Sequence, residues 1–409
     1  MNCRHCGNEL ALEMVNLGCS PASNAYLRDK DAFKNEITYS LRVLVCEQCW
    51  LVQTDDQVEA EALFTDEYAY FSSVSASWLK HAKSYTEVVT QKLGLNKDSL
   101  VVEVASNDGY LLQNFVKNGI PNLGVEPTAA VARAAKARGI NVIEEFFDTR
   151  LANVIAMDYG KADLIIANNV LAHVPDINSF VQGFKELLSE AGTVTLEFPS
   201  LLNIVTQNQF DTIYHEHYSY LNLCVVEEIL SKAGLKVYDV EELSTHGGSL
   251  RVWASHQESS HHVAPSVNEV KQKEIDAKLF EPSTYLAFSE KVTQICEEFK
   301  AFLVDAKLAG KTVVGYGAAA KGNTLLNTAG VKNNLISAVF DSAPSKQNQY
   351  LPGSHIPILP PDAIESYKPD YVVIFPWNIK DEICQYLATN SRVNWKYCIA
   401  IPNLEIFDG

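Results

Sequence analysis

Two histidines, one carboxylate and three tyrosines fall within seven residues at Tyr214-His215-Glu216-His217-Tyr218-Ser219-Tyr220. Imidazole exchanges protons near neutral pH, and a neighbouring carboxylate can orient it and stabilise its charged form. The segment has the composition of a general-base site. Its spacing is not that of the helical H-E-x-x-H, which places both histidines on one face around zinc. A metal site and a polar cluster at a domain boundary are the other readings of these residues.

A second concentration of chemistry-bearing residues lies upstream. Val101-Val102-Glu103-Val104-Ala105-Ser106-Asn107-Asp108-Gly109-Tyr110-Leu111-Leu112 runs from a β-branched apolar segment into an acidic residue, a small Gly-containing turn and an amphipathic stretch. That order predicts strand, tight turn and helix. Small residues let a ligand approach the backbone, at the place where open α/β sheets bind ligands. No G-x-G-x-x-G is present, which excludes the usual dinucleotide fingerprint. The next apolar segment, Leu123-Gly124-Val125-Glu126-Pro127, ends on a carboxylate able to accept both hydroxyls of a ribose. Together these resemble the first two ligand-binding loops of class I S-adenosylmethionine methyltransferases. A different doubly wound domain holding a nucleotide is the alternative. The expected cofactor contacts are Glu103, Ala105, Ser106, Asn107, Gly109, Tyr110, Leu111, Glu126 and Pro127.

The elements that must position these groups alternate. Asp163–Val170 reads as a buried parallel strand, Phe180–Leu188 as part of a helix, and Thr193–Pro199 as the next strand. Alternation of this kind predicts a doubly wound parallel sheet. Asn168 and Asn169 would lie at a strand's carboxyl end, on the rim of the cofactor pocket. Phe146, Phe147 and Asp148 follow another short strand and could wrap an adenine, with Phe147 the expected cofactor contact; plain core packing is the other reading of both phenylalanines.

Further candidates surround this centre. Glu67–Ser73 is a tyrosine-rich stretch before the first Rossmann-like strand, and Tyr68, Tyr70 and Ser72 could close over a pocket or bind a sugar, or form an ordinary aromatic domain junction. Thr245-His246-Gly247-Gly248-Ser249-Leu250-Arg251 is a Gly-Gly turn leading into a strand. It offers His246, Gly248, Ser249 and Arg251 to an oxygen-rich ligand, with a surface cation of that strand as the other reading of Arg251. Gln257 to about Asn268 reads as a Ser- and His-rich loop, and about Val267 to Ala309 as one or two long helices. A second α/β unit opens at Val313-Val314-Gly315-Tyr316-Gly317-Ala318-Ala319-Ala320-Lys321-Gly322-Asn323. Backbone N–H groups at such a helix start form an anion site, and Lys321 adds charge. Tyr316, Gly317, Ala318, Lys321 and Asn323 are therefore expected to hold a diphosphate, although the spacing is not that of a P-loop; a degenerate, purely structural copy of the unit is the alternative.

Cys3-Arg4-His5-Cys6 and Cys46-Glu47-Gln48-Cys49 are two C-x-x-C knuckles. Two knuckles close a tetrahedral Cys₄ zinc site with no open position for catalysis. About forty residues separate them, against 15–20 in the commonest ribbons, so a small strand-rich lobe is expected between them, with Leu41–Val45 as one strand. His5 could replace a thiolate. A redox dithiol would need a thioredoxin-like context that is missing.

Composition bounds the class. With 409 residues the chain exceeds one ordinary core. A net charge of −17 argues against a nucleic-acid partner, which needs clustered Lys and Arg. No apolar run is long enough for a membrane helix, and the polar N-terminus lacks a signal-peptide core. A cytoplasmic protein is expected, with its nine cysteines in metal ligation or buried thiols. Oligomeric state is not specified, and a monomer is compatible with the sequence.

The knuckles, E-V-A-S-N-D-G-Y, Y-H-E-H, H-G-G-S-L-R and G-Y-G-A-A-A-K-G-N-T together resemble one family, the three-domain sugar C-methyltransferases, over essentially the whole chain. The resemblance implies a zinc-binding lobe (1–66), a class I methyltransferase Rossmann-like domain (67–256), and a helical linker with a C-terminal Rossmann-like domain (257–409) that helps hold a nucleotide sugar. It implies S-adenosylmethionine as cofactor, structural zinc, and methylation at C3′ of a nucleotide-linked, commonly dTDP-linked, 4-keto-deoxysugar. It places the base on His217, supported by Tyr68, Tyr214 and Glu216. The exact sugar is not implied.

The chemistry asks for the same residues. A ketone at C4′ acidifies the C3′ hydrogen, and its removal needs a base within reach and donors for the developing oxyanion. His217 suits the first role, and Tyr68 or Tyr214 the second. Methyl transfer is then a displacement governed by alignment. A degenerate methyltransferase that only binds nucleotide sugars, or an O- or N-methyltransferase, would share most of these motifs.

Overall fold

The computed structural model describes residues 1–55, 71–390, 393 and 395–408. Tyr68 and Tyr70 lie outside the described residues. The described residues form three sheets. The first knuckle leads to β1 (Leu12–Ser20), and β2 (Tyr39–Val45) runs into the second knuckle, with β3 (Val52–Thr54) after it. These strands pair antiparallel. Met14, Val15, Leu41, Val43, Leu44 and Val45 are buried while Glu13, Asn16 and Arg42 are not, which gives the lobe an apolar core of its own.

The seven-stranded sheet has the doubly wound pattern. Helix α1 (Ala76–Leu93) precedes it, and the Ser75 hydroxyl caps that helix by accepting from the Trp78 amide. Next come β4 (Val101–Val104), α2 (Leu112–Lys117), β5 (Asn122–Val125), α3 (Ala129–Ala137), β6 (Val142–Ile143), α4 (Thr149–Asp158), β7 (Ala162–Asn168), α5 (Ile177–Leu187) and β8 (Leu188–Pro199). Asp148 and Asp176 cap α4 and α5. Strands β4, β5 and β7 are buried almost throughout, as in a parallel sheet covered on both faces. The chain continues through α6 (Leu201–Thr206), β9 (Ser219–Tyr220), α7 (Leu223–Lys232), β10 (Leu235–Leu243) and β11 (Ser249–His256). The order is β10-β11-β8-β7-β4-β5-β6. Strands β4 to β8 in this sheet are parallel, and β11 and β10 are added antiparallel. The order reverses beside β4, so the crevice beyond its carboxyl end is the expected ligand position.

Strand β9 does not belong to that sheet. It pairs with β3 and completes the order β1-β2-β3-β9, so the segment carrying His217 is hydrogen-bonded into the N-terminal lobe.

Two helices follow, α8 (Pro265–Asp276) and α9 (Pro282–Leu308). The first begins inside the stretch expected to be loop, because a proline at the first helical turn is pre-set for helix and lacks only an amide with no partner there. The C-terminal unit contains β12 (Val313–Tyr316), α10 (Ala320–Thr328), β13 (Val339–Phe340), β14 (Ile358–Leu359), β15 (Tyr371–Ile374), α11 (Lys380–Asn390), β16 (Lys396–Ile399) and β17 (Glu405–Asp408). Its order is β14-β13-β12-β15-β16-β17, parallel except for β17. It packs on the N-terminal lobe: one apolar cluster joins Met14, Val43 and Val52 to Phe288, Phe299 and Leu326. No helix among the described residues is long and apolar enough to cross a membrane.

Candidate active site and metal centre

His217 is buried, and its Nδ1 lies 2.8 Å from the Thr212 carbonyl oxygen. A carbonyl only accepts, so Nδ1 carries the proton and Nε2 keeps the lone pair. The ring lies against Tyr214, with centroids 4.0 Å apart, and edge-on to His173 at 4.7 Å. Burial holds the His217 pKa well below the usual range, and the nearby His173, Lys321 and His246 push it the same way. The ring is neutral at pH 7, which is the form that accepts a proton. His173 donates from Nδ1 to the Glu216 carbonyl oxygen at 2.7 Å, and burial lowers it to about 4. Sequence reasoning missed His173 and Thr212. The first was a lone histidine, and the second acts through a backbone atom.

The other two members of the cluster face elsewhere. Glu216 takes an Asn24 amide hydrogen bond at 3.0 Å on Oε1, and its buried Oε2 has no partner among the described residues. Burial raises its pKa. The expectation that a neighbouring carboxylate orients His217 is therefore replaced by the Thr212 carbonyl. His215 turns to the Tyr39 carbonyl at 3.4 Å and lies edge-on to that ring, away from His217.

The turn after β4 has the geometry of a ligand cradle. Ala105 and Asn107 sit at positive φ, as does Gly109 at +77°. A Cβ at Gly109 would lie 2.2 Å from Ile140 Cδ1, so glycine is needed both for conformation and for packing against α3. Glu126 binds the turn together: one oxygen accepts from the Asn107 amide at 3.0 Å and the other from Thr128 at 2.8 Å. Glu103 is buried, and burial followed by the charges of Asp108 and Glu126 raises its pKa well above normal. Its Oε2, Ser106 Oγ, Asn168 Oδ1 and Asn169 Oδ1 are buried and have no partner among the described residues. Unsatisfied polar atoms round a carboxylate-rich crevice fit a ligand with a sulfonium, an ammonium and ribose hydroxyls. S-adenosylmethionine has all three groups.

Not every expected cofactor residue faces this crevice. Leu111 is fully buried in an apolar cluster with Phe115 and Trp253. Phe147 packs among Phe180 and Phe184, at 5.5 and 5.6 Å, so its ring belongs to the core and Phe146 is the exposed one. Tyr110 stacks on Trp78, which also meets His81 and His246. The Ser72 amide donates to Asn107 Oδ1 at 2.9 Å, and Ser73 and Arg138 bind Asp108. The chain next to Tyr68 and Tyr70 is thus fastened to the cofactor turn.

The Gly-Gly turn approaches the same mouth. His246 has φ 55°, and a Cβ at Gly248 would overlap Asn203 at 1.6 Å. Burial and Lys321 lower His246 to about 4. The Ser249 hydroxyl is used on the Thr245 carbonyl at 3.0 Å. Arg251, expected to meet ligand oxygens, is buried and paired with Glu197 at 2.7 Å, its cross-strand neighbour, and with Glu241 at 3.2 Å. His81 and Thr245 complete the shell of Glu197. Burial opposes ionisation of Glu197, but His81 and Arg251 outweigh it and hold the pKa below normal.

In the C-terminal turn, three amides are already engaged. Gly317 donates to Phe340, Ala319 to Gly317, and Ala318 to Asp341 Oδ2 at 2.7 Å. Tyr316 is buried on Ser342, and Asn323 donates to the Ser23 carbonyl at 2.6 Å. The expected anion site narrows to Lys321 and the first-turn amides of α10. Lys321 Nζ reaches Thr212 Oγ1 at 3.1 Å, which brings this domain against the residue that orients His217.

The four knuckle cysteines converge, with all four sulfurs within 4.8 Å of one another. Cys3 and Cys49 are 3.6 Å apart, and Cys6 and Cys46 3.5 Å. Zinc–sulfur bonds of about 2.3 Å in a tetrahedron require sulfurs about 3.8 Å apart, so the donor set fits zinc. Gln53 Nε2 donates to Cys3 Sγ at 3.3 Å. His5 is no ligand: it bonds Asn178 and Lys232 and docks the knuckle on α5 and α7.

A doubly wound sheet with this crevice, beside a cysteine lobe, defines an S-adenosylmethionine-dependent methyltransferase with a zinc-binding domain. Family models agree: a zinc binding domain matches residues 3–64, a methyltransferase domain 78–240 and a C-methyltransferase C-terminal domain 244–402. The chain is 34% identical to C-methyltransferase NovU of Streptomyces niveus, over 100% of this chain and 97% of that protein. It belongs to the three-domain C-methyltransferase family. Among solved structures, S-adenosylmethionine-bound magnesium protoporphyrin IX methyltransferase of Synechocystis is 14% identical, with TM-score 0.36, over 50% of this chain and 100% of that one. A methyltransferase of Clostridium acetobutylicum is 12% identical, with TM-score 0.36, over 44% and 92%.

Proposed function

We propose that this enzyme methylates C3′ of a nucleotide-linked 4-keto-deoxysugar, with His217 as the base. The observation that carries the reading is the neutral imidazole, its proton held on Nδ1 by Thr212 and its Nε2 lone pair left for substrate. In this reading Nε2 takes the C3′ proton while the C–H electron pair moves toward the carbonyl, giving an enolate. The bound cofactor supplies an electrophilic methyl group to the resulting carbon nucleophile. Glu103, Asn107, Glu126, Asn168 and Asn169 hold the cofactor. Tyr214 or Tyr68 provides the donor for the oxyanion.

Lys321, which reaches Thr212 beside His217, supports an anionic substrate such as a sugar diphosphate. Residues 1–66, 67–256 and 257–409 then act as zinc lobe, methyltransferase domain and nucleotide-sugar domain. Nine cysteines without a disulfide suit the cytoplasm, where nucleotide sugars are made. Incubation with a dTDP-linked 4-keto-6-deoxysugar and cofactor tests the assignment. A methyl carbon bonded to C3′ by NMR supports it, and a methyl on oxygen or nitrogen contradicts it.

A further inference from the structure

The zinc lobe does more than close the N-terminus. Strand β3 begins three residues after Cys49, and its partner β9 begins two residues after His217. In that ladder Gln53 faces Ser219 and Val52 faces Tyr220. The Thr54 amide continues the pairing to the Tyr218 carbonyl at 3.1 Å, and Thr54 Oγ1 reaches the carbonyl of His217 itself at 3.4 Å. Gln53 is fully buried between the two sites. Its Nε2 donates to Cys3 Sγ, its Oε1 accepts from the Arg4 amide at 3.0 Å, and its backbone carries the ladder. Lobe and base segment meet a second time where Asn24 holds Glu216.

We propose that Gln53 is a positioning residue that couples the cysteine site to the base, so that the closed knuckles set the backbone on which His217 is presented. A strand of two residues has little stability of its own and takes its place from its partner. Its partner is fixed in turn by the second knuckle at one end and by the Gln53–Cys3 bond in the middle. Groups that hydrogen-bond a metal-bound thiolate orient the ligand and are commonly worth 10–100-fold in metal affinity or activity. Here the same side chain's backbone reaches the reaction segment. The proposal rests on the reading of His217 as base, but its first test does not.

That test is hydrogen exchange by mass spectrometry on the full-length protein, zinc-replete and after chelation. Exchange in peptides covering 214–222 is compared with exchange in peptides covering β7 and β8. Selective loss of protection in 214–222 is expected. Unchanged protection there overturns the proposal, and equal loss in all peptides overturns it too, because the lobe would then only support the fold as a whole. The second test is Gln53→Leu, which keeps the volume and removes both side-chain hydrogen bonds. It should fold, keep cofactor affinity and substrate KM, and lose kcat by about 10- to 100-fold. Protection in 214–222 should fall in parallel. A variant with normal kcat and normal exchange contradicts the coupling. Normal kcat with raised exchange would leave β9 loosened without consequence for the base and would equally overturn it. If protection falls as expected but His217 variants stay active, the fault lies in the choice of base and not in the coupling.

Discussion

His217 Nδ1 faces the Thr212 carbonyl oxygen at 2.8 Å, and this contact, not the adjacent Glu216 carboxylate, decides which ring nitrogen can take a proton. Thr212 is held on its other side by Lys321 of the C-terminal domain. The base is thus oriented by a backbone atom of a residue that the C-terminal domain also holds.

Acidification should expose the buried imidazoles. His173 and His246 sit near 4 in the fold against an ordinary 6.5. Between those values the unfolded chain binds more protons than the folded one, so stability falls as pH drops from about 6.5 to about 4 and levels off below. Glu103 and Glu216, raised by burial, act in the opposite sense. The decisive comparison is therefore between variants: the thermal midpoint of His173→Gln should depend less steeply on pH across that window than that of the parent. Equal slopes would mean that His173 is not buried neutral.

Glu126→Ala removes a carboxylate that accepts two backbone amides and, in this account, the ribose hydroxyls. Hydrogen bonds to charged groups contribute about 1.5–3 kcal/mol. Calorimetry should show cofactor affinity weakened by one order of magnitude or more. Unchanged affinity would place the cofactor elsewhere.

Arg251→Ala leaves the buried Glu197 with His81 and the Thr245 hydroxyl but without its guanidinium. Breaking a buried pair in this way typically costs about 3–5 kcal/mol. Denaturant unfolding should report that loss, with substrate KM little changed in whatever remains folded. A large KM increase at normal stability would return Arg251 to the ligand site.

Zinc content should be one equivalent per chain, and Cys46→Ser should lose it. Because β9 is a strand of the zinc lobe's sheet, that variant should also lose turnover. Elemental analysis beside activity checks both, and a stable, active, metal-free protein would contradict the assignment.

Local features were the legible ones. The knuckles each place two thiols within one turn, and Gly7 and Trp50 at positive φ complete those turns in the fold. The strand–turn–helix at Glu103–Leu112 was equally readable because all its signals lie within a dozen residues. Pairings across the chain were not. Nothing in Ser219-Tyr220 announces that it leaves the central sheet for the zinc lobe, since a two-residue strand carries no periodicity. Arg251 looked available because Glu197 is remote in sequence, and only the β8–β11 register makes them neighbours. Phe146 and Phe147 could not be told apart, because a turn breaks the alternation that decides which side chain is buried.

The most direct test of the central claim is exchange of the substrate's C3′ hydrogen with solvent deuterium, followed by NMR with S-adenosylhomocysteine bound so that no methyl can transfer. The parent enzyme should exchange that hydrogen. His217→Asn should bind both ligands and exchange it slower by about 10²–10⁴-fold, the usual contribution of a positioned general base. Exchange at the parental rate in His217→Asn, lost instead in Tyr214→Phe, would show that the phenol and not the imidazole takes the proton.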